Sequence, residues 1–482
     1  MSQSVKKNIV LNVINTLTSI IFPIITFPYA ARVLLPEGIG IVNFEQSVVN
    51  YIVLFTSLGI PLYAVKEVAK YRDDKAARDR ITVEIILLSM LLCAAGYVVV
   101  WLLATFVPRI SEHKALFYIL SLSILFTAIG VNWFYQGIED FKFITVRAVV
   151  VRCLSAAALF LFVRTRQDLL IYGVILVGST VGNNFINFVH LRRHISLGLL
   201  RLRELRVFRH LMPVMHIFMF NLISSLYVYL NSVMLGFMAT DEAVGYYTAG
   251  TKITHVVLMV ITSLGTVLLP RCSNLLKKGD EVGFGIVIGK SLRLTIGLSL
   301  PIMAGLMVLA YPVTVVFCGE EFADAVPVLL WNAPVILFIG LTNVMGIQVL
   351  FPKEKINIVL ISVSGGAVAN LLLNLWLIPA YSATGAAIAA LAAEGAVLVL
   401  QIILGRRYYP FKLREMLNAN YIVGTLSMTL CVWAVTLVAD NVWVRLIAGI
   451  AVGAASYSLA LAVLKDSLFL EILNTLRHKL HK

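Results

Sequence analysis

Long runs of apolar residues, each about twenty residues in length, recur along the chain and are separated by short polar stretches. About twenty residues of helix cross a hydrocarbon layer of roughly 30 Å. In lipid only helices and closed barrels satisfy their backbone groups, and these runs are too long for barrel strands. The pattern predicts an all-α polytopic membrane protein with about fourteen transmembrane helices. The predicted spans are 8–31, 41–63, 82–107, 115–136, 146–164, 169–190, 211–237, 246–269, 290–317, 327–350, 357–378, 385–405, 420–438 and 446–464.

An internal repeat is visible at an offset of 205 residues, where "PEGIGIVNFEQSVVNY" (36–51) aligns with "DEAVGYYTAGTKITHV" (241–256). Glu37 meets Glu242 and Gly40 meets Gly245 in this alignment. Because transporters are often built from two related halves, the repeat indicates that spans 1 and 2 correspond to spans 7 and 8.

Polar residues follow one face of each of these four spans at helical spacing. This arrangement favours one shared water-filled cavity; the alternative is that the side chains only join helices, at about 0.6 kcal/mol per hydrogen bond. The residues are Asn12 and Asn15 in span 1, Asn43, Gln46, Ser47 and Asn50 in span 2, Asn221 and Ser225 in span 7, and Thr248, Thr251, Lys252 and His255 in span 8.

Composition agrees with this interpretation, because 60% of the 482 residues are hydrophobic and 13% are charged. Soluble domains are about 45–50% apolar and about 25% charged. The net charge of +14 is concentrated in alternate loops beginning with the N-terminus, such as 66–80 and 406–414. This asymmetry predicts that both termini are cytoplasmic. The basic excess then faces anionic lipid, and nucleic acid is not expected as a partner.

Charged residues inside the spans are candidates for function, because a charge in the membrane is costly. Lys252 lies near the outer surface, where it either faces the cavity or extends toward water. Arg152 and Arg293 lie near the inner surface and leave the same two alternatives open. Arg32 caps span 1. Two carboxylates are candidate ion-coupling sites: Glu394 in span 12, and Glu45, which points away from its polar stripe toward a partner on a neighbouring helix, with Arg32 a candidate.

Catalytic and metal-binding patterns are not found in the sequence. The five cysteines are scattered, and no His, Cys or carboxylate pair has metal-ligand spacing. No nucleophile constellation is present either. The sequence therefore predicts a protein that is not an enzyme and has no cofactor, with coupling to H⁺ or Na⁺ left open.

Several segments resemble the bacterial polysaccharide flippases of the multidrug/oligosaccharidyl-lipid/polysaccharide (MOP) exporter superfamily. They are "FPYAARVLLPEGIGIVNF" (27–44), "LGIPLYAVKEVAKYRDDK" (58–75), "NWFYQGIEDFKFITVR" (132–147), "GYYTAGTKI" (245–253) and "FPKEKI" (351–356) with the span that follows. The resemblance implies two six-helix lobes in a V around a central cavity lined by helices 1, 2, 7 and 8, plus two further helices. The implied segments are 1–210, 211–405 and 406–482.

The resemblance also suggests roles for two cations. Related flippases of the peptidoglycan precursor carry a cation in the eighth helix, which Lys252 matches, and Arg32 belongs to the first motif of the family. The cations that this relative has in helices 1 and 2 are Asn, Ser and Gln here. This departure argues against the peptidoglycan precursor as cargo.

The function implied by the resemblance is transfer of a polyprenyl-pyrophosphate-linked oligosaccharide from the cytoplasmic to the periplasmic leaflet of the bacterial inner membrane. Its partners would be that substrate, membrane lipids and other membrane proteins of polysaccharide assembly. The alternative is a cation-coupled antiporter of drugs or metabolites, which predicts an apolar, aromatic cavity with a buried carboxylate in the N-terminal lobe. A membrane glycosyltransferase would need a large outer loop, and the predicted loops are short.

Overall fold

The computed structural model describes residues 3–196, 205–411 and 418–480. Within these ranges every regular element is a helix, which confirms the all-α prediction. Of the predicted site residues, the side chains of Asn12, Asn221 and Ser225 lie outside the described part.

The chain divides into two compact units, Met1–Gly245 and Tyr246–Lys482. The helices of the first unit are α1 (Gln3–Ser57), α2 (Ile60–Lys70), α3 (Lys75–Phe106), α4 (Pro108–Ser111), α5 (Lys114–Ile129), α6 (Asn132–Gly137), α7 (Phe141–Phe162), α8 (Leu169–Leu191), α9 (Leu211–Met238) and the start of α10 (Asp241–Lys277). The second unit has the rest of α10, then α11 (Glu281–Val308), α12 (Ala310–Cys318), α13 (Val326–Asn332), α14 (Val335–Asn343), α15 (Ile356–Gly405), α16 (Ala419–Val438), α17 (Val442–Val463) and α18 (Ser467–Leu480). The predicted segments 1–210, 211–405 and 406–482 describe repeated groups of spans, whereas these two units are defined by packing. The predicted segments therefore stay a prediction.

Ten helices of the described residues are long and apolar enough to cross a membrane. Two of them are about twice the length that one crossing needs, with 54 residues in Leu17–Lys70 and 50 in Ile356–Gly405. Leu35 at φ 60° interrupts the first stretch, which also breaks at Leu58 and Gly59 between α1 and α2, and Ser382 at φ 51° interrupts the second. Each long helix therefore supplies two crossings.

Two further apolar stretches lie outside this count. Glu320–Asn332 and Val335–Leu350 form a pair bent by 41°, the second ending in a π-helical turn. Helix α9 has 28 residues, although its side chains are described only in part. The total is compatible with the fourteen predicted spans.

Polar side chains at the helix starts satisfy backbone N–H groups that a helix cannot pair internally. Asp74 accepts a hydrogen bond from Ala77 N at the start of α3, and Asp140 accepts one from Phe143 N at the start of α7. Because these caps lie in predicted loops, they fix where the chain leaves one span and enters the next.

Each unit has its own apolar core. In the first, Val68, Ile85 and Phe134 are fully buried where α2, α3 and α6 pack together. In the second, Phe284 and Met345 are fully buried in a cluster that joins α11 to the helices preceding α15.

The repeat-related segments meet within the first unit at two glycines. A Cβ on Gly40 would collide with the backbone oxygen of Asp241, and a Cβ on Gly245 would collide with the backbone oxygen of Pro36. Pro36 and Asp241 are separated by 205 residues, as are Gly40 and Gly245, so the contact is reciprocal. We call Pro36–Gly40 against Asp241–Gly245 the glycine seam.

A buried carboxylate anchors the segment that precedes α9. Glu84 of α3 is fully buried, and its Oε1 accepts hydrogen bonds from Arg206 N at 2.7 Å and Arg80 Nε at 3.1 Å. Its Oε2 binds Arg209 Nη2 at 2.6 Å and His210 Nε2 at 2.8 Å. Charges buried away from water persist when they are paired and hydrogen-bonded in this way.

His210 completes this cluster through its other ring nitrogen, which lies 2.7 Å from the Tyr63 hydroxyl. Burial lowers the pKa of His210, although the hydrogen bond to Glu84 opposes this. A neutral ring then donates from Nε2 to Glu84 and accepts from Tyr63 at Nδ1. The end of the connection between α8 and α9 is thereby fixed to α2 and α3.

We expect Glu84→Ala to destabilise the first unit by about 3 kcal/mol, because it leaves the arginines without their buried counter-charge and His210 Nε2 without its acceptor. Thermal unfolding in detergent measures this. The control is Glu139→Ala, which removes a pair with Arg72 at 3.1 Å whose side chains are 46% and 60% exposed, and which should change stability by less than about 1 kcal/mol. Equal unfolding temperatures for the two variants would contradict the anchoring role.

We expect Gly40→Ala to destabilise the protein by about 1–3 kcal/mol, because the new methyl group meets backbone, which cannot move aside as a side chain can. Gly178→Ala in α8 is the matched control, since a Cβ there meets nothing within 4 Å and alanine favours a helix. Thermal unfolding of the two variants is compared with that of the wild type. A Gly40→Ala variant as stable as Gly178→Ala would show that the seam tolerates a side chain.

Candidate functional site

Arg152 of α7 is one of the predicted site cations, and its hydrogen-bond partners lie in the first unit. Its Nη1 donates to the backbone oxygen and Oδ1 of Asn15, both at 3.1 Å, and to Thr18 Oγ1 at 2.7 Å. Asn15 and Arg152 were each predicted as site residues, and the structure brings them together. The hydrogen bonds that Arg152 makes to described residues all use Nη1, so none of these residues occupies its Nε or Nη2.

The cavity beside Arg152 has a volume of about 360 Å³ and lies between α1, α7 and α8. Hydroxyl groups and apolar side chains line it together with the guanidinium, and none of these described lining residues is a carboxylate. The lining residues are Ser19, Phe22, Pro23, Thr26, Arg152, Ser155, Ala156, Leu159, Tyr172, Ile175, Leu176, Ser179 and Thr180. A cation among hydroxyl donors is an arrangement that suits an anion or a polyhydroxylated group.

A second arginine, Arg147, lies one and a half turns earlier on α7 and is 8% exposed. Its Nε donates to Asn183 Oδ1 at 3.1 Å and its Nη2 to Asn132 Oδ1 at 3.2 Å. Amide oxygens therefore hold this charge. Asn132 also lines a smaller cavity of about 240 Å³, whose wall includes the polar side chains of Thr56 and Ser89.

The polar stripe of span 2 lies on the second half of α1. Ser47 is 4% exposed, and Asn43, Gln46 and Asn50 are half-buried. Arg32, just before the break in α1, is exposed.

The matching stripe of span 8 lies on α10, in the second unit. Thr248 is buried and Thr251 is half-buried, with its hydroxyl donating to Tyr247 O at 2.8 Å. Lys252 and His255 are both exposed, one turn apart on the same helix. On this stripe the ionisable side chains of Lys252 and His255 are therefore exposed, whereas the hydroxyl of Thr248 is buried.

The remaining predicted residues have different surroundings. Glu394 in α15 is 9% exposed and Glu45 in α1 is fully buried. Arg293 of α11 is exposed and interacts electrostatically with Tyr421 of α16. No set of three or more His, Cys, Asp or Glu side chains in the described residues is arranged to hold a metal ion.

Arg147 and Arg109 are not among the site residues predicted from the sequence. Arg147 belongs to "ITVRAVVVRC" (144–153), where two arginines interrupt an apolar run, and this interruption was the available signal. Arg109 carries no comparable signal, because its partner Asp241 at 2.6 Å is 132 residues away in sequence.

The matching family model and two similar curated proteins agree with each other. A family model described as "Polysaccharide biosynthesis protein" matches residues 5–276. The "Putative O-antigen transporter" of Escherichia coli (strain K12) is 27% identical over 410 residues, which cover 84% of this chain and 97% of that protein. The protein of the same name from Shigella dysenteriae is 24% identical over 404 residues, covering 83% and 99%.

Solved structures show the same fold at low sequence identity. The lipid II flippase MurJ in an inward closed conformation aligns with a TM-score of 0.77 and 16% identity, over 95% of this chain and 99% of that chain. An inward-facing multidrug resistance MATE family transporter of the MOP superfamily aligns with a TM-score of 0.64 and 12% identity, over 80% and 93%. The resemblance found in the sequence is confirmed: this multi-pass membrane protein belongs to the polysaccharide biosynthesis protein family.

Proposed function

We propose that this chain is a flippase which transfers a polyprenyl-pyrophosphate-linked oligosaccharide from the cytoplasmic to the periplasmic leaflet by alternating access, for polysaccharide biosynthesis. The observation that carries the proposal is Arg152 beside a hydroxyl-lined cavity whose described lining has no carboxylate. The names of the relatives, which call them O-antigen transporters, support the same class of cargo. The protein is then a transporter and not an enzyme.

The physical problem that such a protein solves is the head group of the lipid. Dehydrating a hydroxyl without a replacement hydrogen bond costs roughly 2–7 kcal/mol, so several sugars together cannot cross bare lipid. The polyprenyl tail has no such cost and can stay in the bilayer. A transporter therefore needs a polar lining for the head group only.

The residues present offer both parts of that lining. Arg152 can donate to a pyrophosphate through Nε and Nη2, and Lys252 and Arg32, both predicted near the outer surface, are proposed as separate cations for the head group. Amide and hydroxyl side chains suit the sugars. The proposed sugar contacts are Asn12, Asn15, Asn43, Gln46, Ser47, Asn50, Asn221, Ser225, Thr248 and Thr251, with His255 beside Lys252. Arg293 is proposed as a further cation and Glu394 as an ion-coupling carboxylate.

The proposed setting is the bacterial inner membrane with both termini in the cytoplasm. It rests on the excess of Lys and Arg in alternate loops. Other membrane proteins of polysaccharide assembly are proposed as partners.

The competing function is a cation-coupled antiporter of drugs or metabolites. One observation bears on it directly: Glu45 is a buried carboxylate in the first unit, as that function would require. Glu45 is not among the residues that line the Arg152 cavity, however, and this cavity carries a cation and hydroxyls. The positive charge of Arg152 therefore disfavours the binding of a cationic drug in this cavity.

The expected result of a transport assay separates these functions. Purified protein in liposomes should move a fluorescent polyprenyl-pyrophosphate oligosaccharide between leaflets, as measured by protection of the head group from an added glycosidase. Protein-free liposomes give the background rate. Export of cationic dyes without any movement of the lipid-linked sugar, under every ion gradient tried, would replace the flippase by the antiporter.

We expect Arg152→Gln and Lys252→Ala each to slow flipping by about tenfold or more, because a hydrogen bond to a charged group contributes about 1.5–3 kcal/mol. Arg152→Lys should recover part of the rate, since it keeps the charge and loses the fork. Lys290→Gln is the control, because this exposed side chain pairs with Glu471 at 2.6 Å. Wild-type rates in folded Arg152→Gln protein would remove Arg152 from the site.

A further inference from the structure

Glu45 lies on the second half of α1, close to the glycine seam, and is 0% exposed. Neither of its carboxylate oxygens has a hydrogen-bond partner among the described residues. The adjacent Phe44 packs edge-on against Phe237 of α9, with ring centroids 5.1 Å apart. A carboxylate without donors in such surroundings carries a large desolvation cost, so the packing accommodates the uncharged acid and not the anion.

The cation that interacts electrostatically with Glu45 is bound to other groups. Arg109 of α4 binds Asp241 Oδ1 through Nη2 at 2.6 Å and Gly236 O through Nε at 3.0 Å. It also lies 3.7 Å from the exposed carboxylate of Glu112. Because Gly236 lies in the last turn of α9 and Asp241 begins α10, Arg109 fastens the connection between these helices to α4.

The charged groups that interact electrostatically with Glu45 are Arg109 of α4 and Asp241 of α10. Helices α3, α5, α8 and α9 contribute no further charged neighbour among the described residues. An ionised Glu45 would therefore compete with Asp241 for one guanidinium. Loss of the Arg109–Asp241 bond would release the contacts that hold Asp241 against Gly40.

A metal cation does not fit this position. Hard cations are held by several oxygen ligands, whereas the oxygens of Glu45 have no polar partner among the described residues and Arg109 supplies a repelling charge. A proton needs one oxygen only.

We propose that Glu45 is a proton-binding switch: the protonated carboxyl leaves Arg109 on Asp241 and keeps the glycine seam closed, and loss of the proton draws Arg109 away and opens the seam. A transient opening of the seam admits the water that accepts the proton, the anion then keeps the seam open through Arg109, and protonation from water precedes closing. This inference rests on the proposed function, for which it names the coupling ion. Glu394 is not required for this step.

Two measurements that need no substrate test the switch. Infrared difference spectra at pH 7 between wild type and Glu45→Gln should contain the C=O stretching band of a buried carboxylic acid. Hydrogen exchange of peptides covering 36–50 and 236–245, corrected for the intrinsic pH dependence, should rise from pH 6 to pH 9 in the wild type. In Glu45→Gln, which imitates the neutral acid, exchange should stay slow at both pH values.

The transport readout uses full-length protein in liposomes with the lipid-linked oligosaccharide. Glu45→Gln should lose the acceleration that a pH gradient gives, and Glu112→Gln should keep it, since Glu112 contacts the same arginine from an exposed position. A wild-type response to the gradient in Glu45→Gln, or an exchange profile identical to that of the wild type, would overturn the proposal. If no lipid-linked sugar moves in any protein, the flippase function fails, whereas infrared and exchange data still decide the role of Glu45.

Discussion

Within the hydrocarbon layer, a polar group has no water to replace a missing hydrogen-bond partner, and this constraint governs the whole chain. Helices satisfy the backbone, so the side chains determine where polarity is tolerated. Arg147 is held by two amide oxygens and Glu84 by four donors. Glu45 differs from Glu84, because it is equally buried and yet neither of its carboxylate oxygens has a partner among the described residues. A residue that departs from the constraint in this way is more informative about function than one that obeys it.

The glycine seam shows how a sequence repeat becomes a physical contact. The two copies of the motif contact each other reciprocally, since each copy places its glycine against the backbone at the start of the other copy. Gly40 therefore faces Asp241, and Gly245 faces Pro36. Only a residue without a Cβ lets two backbones approach this closely, which accounts for glycine at the same place in both copies. Because the contact is backbone to backbone, it excludes solvent without using any side-chain chemistry, and the charges beside it remain available for regulation.

Much of the fold could be predicted from the sequence, because hydrophobic length and charge asymmetry are local properties. The all-α class follows from run length alone, and the helix breaks at Leu35 and Ser382 lie in or beside predicted connections. The offset of 205 residues identified Gly40 and Gly245 as equivalent. Their mutual contact was not predictable, since equivalence in a repeat does not specify which surfaces meet.

The candidate site was predictable only in its residue types. Polar stripes pointed to Asn15, and charge inside a span pointed to Arg152, but their hydrogen bond joins positions 137 residues apart. Glu45 was predicted to point away from its stripe. Its charged neighbours, Arg109 and Asp241, lie between the predicted spans, where helical periodicity gives no information. Pairings of this kind depend on tertiary packing, for which a single sequence carries no local signal.

The separation of the two kinds of charge bears on mechanism. Arg152 lies beside a cavity with hydroxyl groups, and Glu45 is buried near the seam. If one carboxylate both bound the cargo and carried the proton, an anionic cargo would be repelled whenever the proton left. Placing the carboxylate away from the cationic lining removes that conflict, because the charge of Glu45 then acts on the cargo only through the conformation of the chain. A transporter of anionic lipid head groups that uses protons needs this separation, whereas an exporter of cations would gain from a carboxylate in the cavity itself.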